Sequence, residues 1–261
     1  MAVQEQRRRW RRLDPDARLG LRLTLAMLAV FLIAVPFLLL MLLVLGNWSP
    51  LRALDTNVAD GLHLVALRND PMVDVLSVLS DLFDPLVFRA LATVLAVWLW
   101  LRGRRRLAAW AFVTTWGSAL LGMAVKAAVG RSRPSFVDAV AHAPGRSFPS
   151  GHALGSMVGC GVLLLVLLAV VPRGWRWLAW LAAAVVVGSV GFARVGLGVH
   201  YVSDVVAGWV LGLGWLAATT AAFQTWRREE GAPRTPASEG LEPDLADGDA
   251  VGRGVPRDRA G

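Results

Sequence analysis

Five apolar stretches, residues 23–45, 107–129, 151–171, 177–197 and 201–226, reach or approach the ~20 residues that a helix needs to cross a bilayer. A shorter one, 83–101, makes a sixth. A chain in which 56% of residues are hydrophobic, with mean hydropathy +0.53, exceeds the apolar share of a soluble domain, and here the excess lies in blocks. The pattern predicts an all-α fold, a polytopic membrane helical bundle of about six transmembrane helices, with one membrane domain over residues 23–226. The first block follows Arg7, Arg8, Arg9, Arg11 and Arg12 but is too long for a signal-peptide core. No small-residue cleavage site precedes Asn47, so it is expected to be a retained anchor.

The formal charge of +8 does not point to nucleic acid, because the cations sit between the apolar blocks. With a cytoplasmic N-terminus, fifteen arginines fall on one side and eight Lys or Arg on the other. This asymmetry predicts cytoplasmic N- and C-termini. It divides the chain into a basic cytoplasmic N-terminus (1–22), the membrane domain and a disordered cytoplasmic tail (227–261) rich in Gly, Pro and charge. Cys160, the only cysteine, lies mid-span and is expected to be a packing residue.

Residues 47–82 are too polar to cross a membrane. Asp74, Ser77 and Asp81 form a stripe at helical spacing, opposed by Val75, Leu76, Val78, Leu79 and Leu82. The segment is expected either to lie at the outer interface or to pack on the bundle. Gly155-x-x-x-Gly159 and Gly208-x-x-x-Gly212 are expected to let helix backbones approach closely.

Three clusters fall at the ends of spans away from the basic side. The first begins at Lys126, the only lysine beside twenty-six arginines, and reaches Arg133-Pro134 after Gly130. A chain that uses Arg for every other positive charge has a reason to place a compact ammonium here. The second is Phe148-Pro149-Ser150-Gly151-His152. Ser150 is placed as an N-cap, Gly151 lets backbone approach a ligand, and the first-turn N–H groups lack intrahelical partners and attract anions. His152 would stand beside that anion, ready to protonate a leaving oxygen.

The third cluster runs from Arg194 through a Gly196-Leu197-Gly198 turn to His200 and Asp204. Four residues apart, His200 and Asp204 share a helix face, so the carboxylate can orient the imidazole through Nδ1 and leave Nε2 free to attack. A zinc site would need further ligands, and the remaining histidines, His63, His142 and His152, bring no carboxylate at ligand spacing. Three cations, a nucleophile and an acid suit a dianionic phosphoryl group, whose transfer needs charge neutralised on its equatorial oxygens.

In order and spacing these clusters resemble the three signature motifs of the type 2 phosphatidic acid phosphatase family, the lipid phosphate phosphatases that share a superfamily with the vanadium haloperoxidases. The resemblance covers roughly residues 50–220. It implies a metal-independent lipid phosphatase with no cofactor and six spanning helices, and the charge asymmetry puts the expected site on the extracytoplasmic side. His200 would form a phosphohistidine oriented by Asp204, His152 would protonate the leaving group, and Lys126, Arg133, Ser150, Gly151 and Arg194 would bind phosphate. One position departs from the pattern: the third motif usually opens with Ser, and here Ala193 stands there. The expected partners are membrane lipids and a lipid phosphate substrate: phosphatidic acid, phosphatidylglycerol phosphate or a polyprenyl diphosphate. The competing expectation is a non-hydrolytic transporter or binder of phosphorylated lipids using the same cationic pocket. A vanadate-dependent peroxidase fits poorly, since the haloperoxidases of that superfamily are soluble.

Overall fold

The structure is a computed structural model describing residue 31, residues 33–229 and residues 240–241. The basic N-terminus (1–22) and most of the tail expected over 227–261 lie outside the described residues. Every described helix is built on an apolar stripe or an apolar circumference, and no strand occurs among the described residues.

Helix α1 (Ile33–Leu45) ends in a turn at Gly46–Trp48, and α2 (Ser49–Ala66) leaves at 86° to it. The buried residues of α2, Asp55, Ala59, His63 and Ala66, recur every three or four positions, so one face of this polar helix is pressed into the bundle. Helix α3 (Asp70–Leu82) is capped by Asn69, whose Oδ1 accepts from the Met72 N–H at 3.1 Å. It packs on the bundle through Leu76 and Ser80, while Val75, Val78 and Leu82 point outward. The apolar side expected for this segment is therefore split between protein and surroundings.

Helix α4 (Pro85–Leu101) starts from an Asp84 cap, with Oδ1 accepting from the Leu86 N–H at 2.7 Å, and buries Phe88, Ala92, Ala96 and Leu99. Helix α5 (Arg105–Val129) ends at Gly130, whose φ of 66° is the left-handed conformation that lets the chain turn out of the helix. Helix α6 (Gly151–Leu167) touches α4, α5, α7 (Arg176–Gly196) and α8 (Val202–Glu229). A helix apolar on all sides is one that neighbours surround, and α6 occupies that central place. The chain reaches α7 through a single 3-10 turn, Arg173–Trp175.

Three segments, Arg105–Val129, Arg173–Gly196 and Val202–Thr225, are each long and apolar enough to cross a membrane. The expected 83–101 span meets the length only together with α3, as Asp70–Leu101. Of the expected first span, 23–45, the described part is residue 31 and α1, which together with α2 meets it as a bent pair, and α6 is shorter at 17 residues. Among the described residues that makes four such segments, or five with the bent pair, beside the shorter apolar α6, where about six were expected. Leu38, Leu42, Val94, Val97, Leu120 and Val185 face outward, as side chains do when lipid is their solvent. The chain is a membrane protein.

The glycine motifs join helices within the chain. A Cβ on Gly155 would lie 3.0 Å from Pro85, and one on Gly208 would lie 2.8 Å from the Ser150 carbonyl oxygen. Gly155 therefore brings α4 against α6, and Gly208 brings α8 against the first turn of α6. At the other end of the bundle, Arg102 and Arg105 lie over the Trp98 and Trp100 rings at 5.3 and 5.4 Å. Cys160 is a free, partly buried thiol inside α6. Beyond α8, which continues three residues past the expected boundary at 226, Leu241 is fully buried in the core formed by α4, α5 and α6. Its N–H donates to the Leu165 carbonyl at 3.1 Å.

Candidate active site

The antiparallel course of the helices puts the C-termini of α5 and α7 and the N-termini of α4, α6 and α8 at one end of the bundle. All eight site residues expected from sequence lie at these termini or in the segments joining them. The segment after Gly130 is laced to the one before α6. Arg146 donates to the Gly130 carbonyl at 2.6 Å, and the Ser147 N–H donates to the Arg131 carbonyl at 2.9 Å.

His200 is 1% exposed, and its backbone N–H donates to the Arg194 carbonyl at 3.2 Å. Nη1 of Arg133 lies 2.9 Å from Nε2 of the imidazole. A guanidinium only donates, so Nε2 carries the lone pair and Nδ1 the proton. Nδ1 faces Oδ2 of Asp204 at 3.4 Å, a contact too long for a good hydrogen bond. Burial pushes the imidazole well below its ordinary value, to about 4, against the pull of Asp204. The ring is therefore neutral at physiological pH.

Arg133, expected to hold phosphate, is engaged with protein on every nitrogen. Nε donates to Gly145 O at 3.1 Å and Nη1 to Val199 O at 2.7 Å. Nη2 donates to Pro144 O at 3.0 Å and Arg146 O at 3.3 Å. Burial lowers its pKa, with Asp204 acting in the opposite sense.

Asp204 is fully buried and accepts from Arg131 Nη1 at 2.7 Å and from the Tyr201 N–H at 2.9 Å. Arg131 also donates to Asp55 at 2.7 Å and to Ser203 Oγ at 2.7 Å, and its guanidinium carbon lies 4.3 Å from the Tyr201 ring centroid. Burial opposes the Arg131 charge, yet the two carboxylates outweigh it and raise its pKa.

Ser150 caps α6, accepting from the Ala153 N–H at 3.4 Å, while its own N–H donates to the Asp204 carbonyl at 2.9 Å. His152 in the first turn places Nε2 3.3 Å from Oδ2 of Asp84. Arg194 is buried. Nη1 donates to Ser80 Oγ at 2.6 Å and Nε has no hydrogen-bond partner. Ala193 is buried against Leu76, Leu197 and Val199, so the hydroxyl facing Arg194 comes from α3 instead of the preceding residue. Lys126 donates to the Arg146 carbonyl at 2.9 Å. A Cβ on Gly151 would meet only Lys126 Cε, at 3.9 Å. Lys126 and Gly151 line one end of a cleft of about 250 Å³ that continues past Pro85, Arg89, Thr115 and Ser118 between α4, α5 and α6. Among the described residues no three His, Cys, Asp or Glu side chains converge as a metal site.

Sequence reasoning passed over Asp55, Ser80, Asp84, Arg131 and Ser203. Arg131 stood two residues from an expected site residue and was counted only as charge. Asp84 had a usable signal, as an acid ahead of a Pro-started apolar helix.

The fold and this cluster define an all-helical membrane protein with a buried polar site at one end of its bundle. Residues 108–228 match the family model of the PAP2 superfamily. The chain is 39% identical to the lipid A 1-phosphatase of Rhizobium etli over 122 residues, 43% of this chain and 48% of that protein. It is 36% identical to phosphatidylglycerophosphatase B of Bacillus subtilis over 96 residues, 36% of this chain and 47% of that protein. With the undecaprenyl-diphosphatase of Sulfolobus acidocaldarius it shares 38% identity over 79 residues, 30% of this chain and 34% of that protein. The chain thus spans at most about half the length of these curated relatives. The crystal structure of a transmembrane PAP2-type phosphatidylglycerolphosphate phosphatase from Bacillus subtilis has the same fold. The TM-score is 0.62 at 22% identity, over 77% of this chain and 98% of that one.

Proposed function

We propose that this chain is a membrane phosphatase that removes a terminal phosphoryl group from a lipid phosphomonoester or diphosphate, with His200 as nucleophile. The observation that carries the reading is the state of His200: a buried neutral imidazole with its lone pair on Nε2 and its Nδ1 proton directed at Asp204. The three curated relatives support it, since each is named for dephosphorylating a membrane lipid.

In the proposed reaction an incoming phosphoryl oxygen takes over the Arg133 Nη1 donor and frees Nε2. The Nε2 lone pair attacks phosphorus while the bond to the leaving oxygen breaks in line. Burial and the surrounding cations hold the pKa of His152 at about 3 before substrate binds. Once the dianionic phosphoryl group offsets those cations, His152 takes up a proton and gives it to that oxygen. The phosphohistidine ring is cationic, with Nδ1–H facing the Asp204 carboxylate. Water then attacks phosphorus, returning a proton to His152, and the P–N bond breaks to restore Nε2. Lys126, Arg133, Arg194 and the first-turn N–H groups after Ser150 and Gly151 neutralise the oxygens, and the unpartnered Nε of Arg194 is a donor in want of such an acceptor.

We place the site on the extracytoplasmic side and both termini in the cytoplasm, because the arginines of 102–106 and 173–176 gather at the opposite end of the bundle. The test is phosphate release by the full chain in detergent from phosphatidic acid, phosphatidylglycerol phosphate and a polyprenyl diphosphate. The wild type should release phosphate and accumulate an acid-labile phosphohistidine, and His200→Ala should do neither. Release by His200→Ala at the wild-type rate, or binding of all three lipids without release, overturns the proposal.

A further inference from the structure

Asp55 is a fully buried carboxylate on α2, outside the region that matches the family model. A buried charge is costly unless it is paired and hydrogen-bonded, and Asp55 is both. Oδ1 accepts from the Ser203 N–H at 3.0 Å, one of the donors that the start of α8 leaves without an intrahelical partner. Oδ2 accepts from Ser203 Oγ at 2.5 Å and from Arg131 Nη2 at 2.7 Å. The other arm of Arg131 reaches Ser203 Oγ and Asp204 Oδ1, each at 2.7 Å. Two carboxylates therefore share one guanidinium, and the three groups together carry one net negative charge behind Nδ1 of His200.

We propose that Asp55 is a positioning residue for the nucleophile, fixing Asp204 through Arg131 and Ser203 and leaving a net negative charge to meet the imidazolium formed when Nε2 is phosphorylated. Without Asp55, Arg131 and Asp204 form a neutral pair, and the guanidinium is free to pull the carboxylate away from the ring. Asp55 also ties α2 to α8, so the nucleophile is held from a helix remote from its own motif. The inference rests on the phosphatase reading given above.

The test is Asp55→Asn in the full chain. It keeps the shape and an oxygen for the Ser203 N–H, but it removes the charge and replaces the oxygen that accepts from Arg131 and Ser203 Oγ with an NH2 that cannot accept. The kcat for phosphate release should fall roughly ten- to a hundredfold, the range that outer partners of a site command elsewhere, with KM little changed. In protein labelled with ¹⁵N-histidine, the Nδ1 proton resonance of His200 should shift or exchange away. Wild-type kcat together with an unmoved Nδ1 resonance overturns the proposal. If Asp55→Asn fails to fold, Ser203→Ala decides: it should lower kcat several-fold and shift the same resonance, and no change in either overturns the proposal. If the wild type releases phosphate from no lipid, the phosphatase reading fails, and the resonance, which needs no turnover, still tests whether Asp55 orients His200.

Discussion

Arg133 Nη1 and His200 Nε2 stand 2.9 Å apart, so the atom proposed to attack phosphorus is covered by a cation that also joins the 144–146 segment to the turn after α7. One guanidinium thus holds the nucleophile's tautomer, closes the loop over it and offers a donor to the group that displaces it.

Replacing Arg133 should remove all three roles at once. Arg133→Ala is expected to lower kcat/KM by roughly a hundredfold or more, the scale of one lost oxyanion donor, ~2.7–4 kcal/mol. Arg133→Lys should recover little, because one ammonium cannot span four carbonyls and an imidazole. Initial rates of phosphate release across a substrate series measure both.

The depressed ionisation of His200 sets the low-pH behaviour. With a folded-state pKa near 4 and an unfolded value near the ordinary 6.5, the unfolded chain binds this proton first as pH falls. Stability linked to the neutral ring is fully present above about pH 6.5 and is lost progressively as pH falls toward 4. Titration of the His200 ring nitrogens by ¹⁵N NMR should show a neutral imidazole at pH 5.5. A ring half-protonated near pH 6.5 would contradict the buried site described here.

A proton from His152 matters only where the leaving group needs one. His152→Ala should lose activity by about a hundredfold or more on lipid alkyl phosphates, within the usual range for general acid catalysis. On p-nitrophenyl phosphate, whose leaving group departs unprotonated, the loss should be far smaller. Equal losses on both would assign His152 to binding.

Close packing at Gly208 supports the first turn of α6. Gly208→Ala places a methyl 2.8 Å from the Ser150 carbonyl, so α6 and α8 must separate. The expected cost is about 1–3 kcal/mol of stability, with a fall in activity from displaced Ser150 and His152. Thermal unfolding in detergent, alongside the rate assay, checks the pair.

The helices were legible because lipid-facing and core-facing residues are both apolar, so each span appears as a block. The count was less so. The 83–101 block needs α3 to reach spanning length, and the chain bends by 86° between α1 and α2, which hydropathy does not encode. At the site, residues linked by short spacing stood out, as with His200 and Asp204. Residues linked only by folding did not: Asp55 meets Ser203 across 148 positions, and Ser80 meets Arg194 across 114. Asp55 also sat in a polar segment whose acids resembled surface charge. Ala193 shows the same limit from the other side, since the hydroxyl that Arg194 meets, Ser80 Oγ, lies on a helix that the motif does not contain.

Helix α6 is 17 residues long, about 26 Å at 1.5 Å per residue, while the hydrocarbon slab of a bilayer is about 30 Å thick. Centred in such a slab, a helix of this length has its capped N-terminus at the hydrocarbon edge and not out in the water. On the proposed reading, a lipid headgroup at that depth would arrive by sideways diffusion along the cleft between α4, α5 and α6, without its tails leaving the membrane. A water-soluble phosphate ester of the same local chemistry would have to descend to it, so a short central helix acts as a filter on how a substrate travels.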